Sequence, residues 1–109
     1  MELLDEINVK GTQLDQALRT LRQHGIALAE AERKYKEAVS KEALRLRDEG
    51  MAVTLIDKVI YGLPSVSLLR FERDCARSVY DANYEAINVK KLQLRILENQ
   101  LNMEWSNTR

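Results

Sequence analysis

The chain is expected to be all-α: a long helix, a short connector helix and a second long helix folded back as a hairpin. Three observations point there. Its 109 residues include one proline and four glycines, which leaves little backbone to be irregular. Apolar residues recur at alternating three- and four-residue steps along two long stretches. Nothing alternates residue by residue, as a half-buried strand would. Apolar residues make up 45% and charged residues 31% of the sequence, the balance of a globular chain rather than a disordered one.

The first long helix is expected over about 2–48. Its stripe is Ile7, Gly11, Leu14, Leu18, Leu21, Gly25, Leu28, Tyr35, Val39 and Leu46, interrupted by Glu32 and Glu42. A repeat of about 3.5 residues held this long is the seam of a helix packed lengthwise on another. Gly11 and Gly25 are its weak points. His24-Gly25 resembles a helix C-terminus, and Thr12 with Asp15 resembles a capping box. The stripe keeps its phase through both glycines, so one helix is expected, with its continuity there left open.

Asp48-Glu49-Gly50 should end that helix, with Gly50 in the left-handed C′ position. Thr54 is expected to cap the connector helix, about 54–61, with Asp57 at N3. Gly62 and Pro64 stop it, and Ser65 can cap the second long helix, about 65–105. That helix carries two adjacent stripes. One is Leu69, Ala76, Tyr80, Ile87, Leu94, Leu97 and Leu101; the other is Leu68, Phe71, Cys75, Val79, Ala82, Ala86, Val89, Ile96 and Met103. Together they are too wide for one partner helix to cover. Residues 1–109 are read as a single helical-hairpin domain.

Helices of about 40 residues extend about 60 Å, and two of them form a thin rod with much apolar surface left wet. Burial returns about 25 cal/mol per Å2, so a second copy is expected, giving a homodimer built as an elongated four-helix bundle or coiled coil. The expected oligomer interface is Leu69, Ala76, Val79, Tyr80, Ala82, Ala86, Ile87, Leu94, Leu97 and Leu101. Folding about the connector would set Leu46 level with Leu68. Arg19 and Arg22 would then lie level with Lys90, Lys91 and Arg95, a candidate nucleic-acid-binding patch. Residues 33–47 are net basic, while Glu2, Asp5, Glu6, Glu98 and Glu104 lie in the terminal regions. Lys+Arg and Asp+Glu are both 17, so no global charge argues for nucleic acid or an anionic membrane.

No phosphate-binding loop, dinucleotide-binding glycine motif or H-E-x-x-H is present. Paired Glu-x-x-His motifs for a di-metal bundle and paired Glu-x-x-Glu motifs are absent, and Glu2–Asp5 gives the carboxylate spacing once. With one His and one Cys, a zinc site would need an improbable set of carboxylates. His24 reads as a surface or capping histidine, with catalytic base or ligand as the alternative. Cys75 reads as a buried, inert thiol. No enzyme, metal or cofactor is expected. TLIDKVIYGLPSVSLLRFER can be mistaken for a helix-turn-helix exposing Ser65, Ser67, Arg70 and Arg73; Leu68, Leu69 and Phe71 argue instead for a packed connector. Tyr35, Tyr61, Tyr80, Tyr84 and Trp105 could stack on bases, but Tyr35 and Tyr80 lie on core stripes and Trp105 reads as a packing anchor. A lone cysteine, an N-terminus (MELLDEINVK) without a signal-peptide core and the lack of a membrane span point to the cytoplasm.

The segments DEGMAVTLIDKVIYG and INVKKLQLRILENQLNMEW give the last two-thirds of the chain a character that resembles small helical proteins encoded in phages and prophages of Gram-positive bacteria. The resemblance implies the host cytoplasm and company among genes of phage replication and recombination. Two functional readings follow. One is a non-enzymatic helical oligomer that binds another protein or its own copy. The alternative is a sequence-independent binder of single-stranded DNA, or a recombination accessory, using Arg19, Arg22, Lys90, Lys91 and Arg95.

Overall fold

The structure is a computed structural model and describes residues 2–107. The described residues form α1 (Glu2–Asp48), α2 (Val53–Val59) with a 3₁₀ turn at Ile60–Gly62, and α3 (Pro64–Asn107). The fold is all-α in the order long, short, long.

α1 passes through Gly11 and Gly25 as one helical span. Thr12 is therefore not a cap. Its hydroxyl donates to the Asn8 carbonyl oxygen at 3.0 Å, one turn back, the bond a threonine makes inside a helix. The C-terminus of α1 is a Schellman motif. Gly50 has φ of 90°, its N–H donates to Arg47 O at 2.9 Å, and the Met51 N–H donates to Leu46 O at 3.0 Å.

Two caps differ from expectation. α2 begins one residue early, and its N-cap is Ala52 in an extended conformation with no side-chain cap bond. The Leu55 and Ile56 amides donate to the Ala52 carbonyl at 3.0 Å each, so Thr54 lies inside the helix. α3 opens on Pro64 rather than after Ser65. Proline needs no amide partner at the first helical position, and Leu63 before it is extended, the conformation proline enforces on its predecessor.

The chain divides into two compact units. The connector unit, His24–Val79, holds a core of Tyr35, Leu46, Ile56, Ile60 and Val66. Each buried aliphatic side chain there contributes about 1.5–3 kcal/mol. Val66 is fully buried at 0% exposure, whereas Leu68 is 57% exposed. Leu68 therefore faces away from the cluster that holds Leu46 and Val66. Leu46 shares its cluster with Ile56 and Ile60 of the connector, because the last turns of α1 are covered by the connector itself. The acidic interruptions of the α1 stripe have partners: Glu32 pairs with Arg77 of α3, and Glu42 pairs with Arg45 at 2.7 Å. The Arg73 guanidinium lies 4.6 Å from the Tyr35 ring centroid.

The terminal unit joins residues up to Gln23 with residues from Tyr80 onward. Its seam is Leu3, Ile7, Leu14 and Leu21 of α1 against Tyr80, Ile87, Leu94, Leu97 and Leu101 of α3, all half-buried except Ile87, which is buried. Two polar groups cross this seam. Asn83 Nδ2 donates to Ala17 O at 3.0 Å, and Lys90 Nζ donates to Gln13 Oε1 at 2.8 Å.

Candidate functional site

The inward positions of α3 are Val66, Leu69, Arg73 and Ala76 in the connector unit, then Tyr80, Asn83, Ile87, Lys90, Leu94, Leu97 and Leu101 in the terminal unit. Steps of three and four alternate throughout, a heptad seam that takes in three polar residues. Of the ten residues expected at an oligomer interface, seven belong to this inner seam: Leu69, Ala76, Tyr80, Ile87, Leu94, Leu97 and Leu101. Only Val79, Ala82 and Ala86 lie exposed. The physical reason is competition, since the best apolar stripe on α3 is consumed by α1 of the same chain.

The second stripe is the one left outside. Leu68, Phe71, Cys75 and Val79 are exposed in the connector unit; Ala82, Ala86, Val89, Ile96 and Met103 are exposed in the terminal unit. Phe71 is 65% and Met103 66% exposed. Cys75 is thus an exposed thiol, not the buried one expected, because it belongs to this stripe.

Lys90's bond to Gln13 also revises the register. At about 1.5 Å per residue, Arg19 and Arg22 lie about 9 and 14 Å along α1 from Gln13. Lys91 and Arg95 sit on the far side of that level. The five cations are therefore spread along the terminal unit rather than level with one another. Arg19, Arg22, Lys91 and Arg95 are exposed, and Lys90 is half-buried.

Two cations of the basic run 33–47 are held by glutamates on the same helix or just past its end. Arg33 holds Glu30 at 2.6 Å and Glu37 at 3.1 Å; Arg45 holds Glu42 at 2.7 Å and Glu49 at 2.9 Å. The hydrogen bond from Arg33 keeps the Glu30 carboxyl below the ordinary glutamate value, and the Arg33 and Arg45 guanidiniums are raised by their glutamate partners. Glu32 and Glu37 pair with Arg77 and Arg33 rather than with the lysines one turn on, Lys36 and Lys41. Arginine's planar fork outcompetes lysine for a carboxylate.

Of the aromatic residues, Tyr35 is buried beneath Arg73 and Tyr80 is half-buried. Arg73 is raised chiefly by its bond to Asp74. Tyr61 lies under Arg70 at 5.4 Å; Arg70 is exposed, whereas Arg73 is half-buried. Tyr84 and Trp105 are exposed, and Trp105 lines a shallow groove with Leu4 and Leu101. His24 is half-buried within continuous α1 rather than at a helix end.

Sequence reasoning missed Arg73, Asn83 and Lys90 as inward residues; extending the 3.5-residue repeat through polar positions finds all three. It also missed a flank of uncharged side chains on α1, Val9, Gln13, Gln16, Thr20 and Gln23. Beside it on α3 lies Gln93, whose Oε1 is buried without a hydrogen-bond partner. Among the described residues no group of three or more His, Cys, Asp or Glu side chains is placed to hold a metal ion, and no helix is long and apolar enough to cross a membrane. No protein-family model, curated protein or solved structure matches this chain with significance.

Proposed function

We propose that the chain is a non-enzymatic helical interaction protein that works as an oligomer, a phage-encoded accessory factor acting in the host cytoplasm. The carrying observation is the exposed second stripe of α3. A helix whose inner seam is already filled has no folding reason to repeat the same apolar spacing on another face. Contiguous apolar surface of this kind marks an interaction site. Light scattering on a sizing column tests it. The expected mass at micromolar concentration is a multiple of the 12.6 kDa chain, and a monomer at every concentration would overturn the self-assembly.

The exposure of Arg19, Arg22, Lys91 and Arg95 supports a second reading, backbone-tracking contact with single-stranded DNA. Fluorescence anisotropy of labelled single- and double-stranded oligonucleotides at several salt concentrations separates the two. Binding that weakens linearly in log salt, and falls when the four residues become alanine, would carry the DNA reading. No binding at low salt removes it.

A further inference from the structure

The terminal unit presents one face with a composition unlike the rest of the surface. On α3, Ala82, Ala86, Val89, Gln93, Ile96 and Gln100 follow one another at steps of four, three, four, three and four, a second heptad seam. With a 3.5-residue period, its centre lies about 100° around the helix from the inner seam. That is the angle at which a helix of a four-helix bundle meets its two neighbours. The α1 flank beside it, Val9 to Gln23, is uncharged at its positions on the same side, where Gln13 already meets Lys90. Depletion of charge is what distinguishes the centre of a protein interface.

We propose that a second copy of the chain seats on this face, antiparallel, with the two-fold axis midway between Val89 and Gln93, so that two terminal units build a four-helix bundle. The inference rests on the oligomeric reading above and names its face and polarity. Self-pairing about that axis matches large with small where Ala86 of one copy opposes Ile96 of the other; Ala82 opposes Gln100, and Val89 opposes Gln93. The seam positions from Ala82 to Gln100 carry no charge, so no like charges meet along it. The strip from Ala82 to Gln100 is about 27 Å long and about two helices wide, about 540 Å2 per copy, which from both copies together just clears the roughly 1,000 Å2 of a specific interface.

The test is cysteine cross-linking in a Cys75→Ser background, because the exposed native thiol would confuse it. Ala86→Cys and Ile96→Cys proteins are oxidised separately and as a mixture, then resolved without reductant. Antiparallel seating predicts a reducible dimer in the mixture and little in either protein alone. Cross-linking of each protein with itself would mean parallel chains and overturn the polarity. In parallel, Ile96→Glu, at a half-exposed position that should leave helicity by circular dichroism unchanged, is expected to convert the assembly to monomer. A wild-type monomer would sink the oligomeric reading itself. A wild-type oligomer that survives Ile96→Glu, with no cross-link in the mixture, would sink this face alone.

Discussion

The side-chain amide of Asn83 donates a 3.0 Å hydrogen bond across the terminal unit's seam to the main-chain carbonyl oxygen of Ala17. The acceptor also belongs to α1's own hydrogen-bond ladder, so removing the donor leaves no stranded backbone group. Asn83→Ala should then cost at least the net worth of that bond, about 1 kcal/mol. Urea unfolding followed by circular dichroism should show a lowered midpoint with an unchanged slope. A loss beyond about 3 kcal/mol would mean that Asn83 supports more than this contact.

Tyr35 and Arg73 divide one contact unequally. The ring is buried in the connector unit's core, and the guanidinium stacked on it remains partly solvated. Tyr35→Ala should destabilise by about 3 kcal/mol through cavity formation. Arg73→Met keeps the aliphatic stem and should cost under about 1 kcal/mol, the range of a partly exposed cation–π contact. Equal losses in the two variants would contradict this division.

Two glycines should respond to alanine with opposite signs. Gly50 holds φ of 90°, where a Cβ is strained whatever the space around it, so Gly50→Ala should cost about 1 kcal/mol. Gly11 sits inside α1 and an added Cβ would meet nothing within 4 Å. Gly11→Ala should stabilise by up to about 1 kcal/mol, the propensity difference in a helix interior. Thermal melts of the two variants give the comparison directly.

The Glu30–Arg33 pair makes an acid-side prediction. Because the folded-state value of Glu30 is lowered, its contribution is present above the unfolded glutamate value and disappears as pH falls through the folded one. Glu30→Gln should therefore melt slightly below wild type at pH 7, with the gap closing as pH falls below the ordinary glutamate range. The pair is exposed, so 1 M salt should narrow the gap at pH 7 as well. A gap that widens on acidification would reverse the sign assigned here.

Much of this architecture could be read from spacing alone. The two stripes of α3 were separable in sequence, and Leu69, Ile87 and Leu94 face inward while Phe71, Val89 and Ile96 face out. Which stripe pairs within the chain was not readable, because both have the same period and only the fold decides between them. Polarity hid Arg73, Asn83 and Lys90, since a seam can accept a polar side chain that finds a partner across it. The helix starts near Thr54 and Ser65 were misplaced because Ala52 supplies a backbone-only cap and Pro64 takes the first helical position without needing one. The cation register failed for a geometric reason: spacing within each helix does not tell how one helix is offset from the other.

The distribution of buried residues also sets an order of events in time. Five of the six buried apolar side chains among the described residues, Tyr35, Leu46, Ile56, Ile60 and Val66, lie around the Gly50 turn, and Ile87 lies in the terminal unit. Contacts near the turn close short loops, whereas the Gln13–Lys90 bond spans 77 residues. Loop-closure entropy therefore favours nucleation at the connector, with the helices zipping together away from it. Amide hydrogens around Leu46 and Val66 should exchange only on global opening, and those near Leu3 and Leu101 by local fraying. Ribosomal synthesis adds a delay. Until Lys90 and Leu94 have emerged, the first turns of α1 are a finished helix surface waiting for its other half.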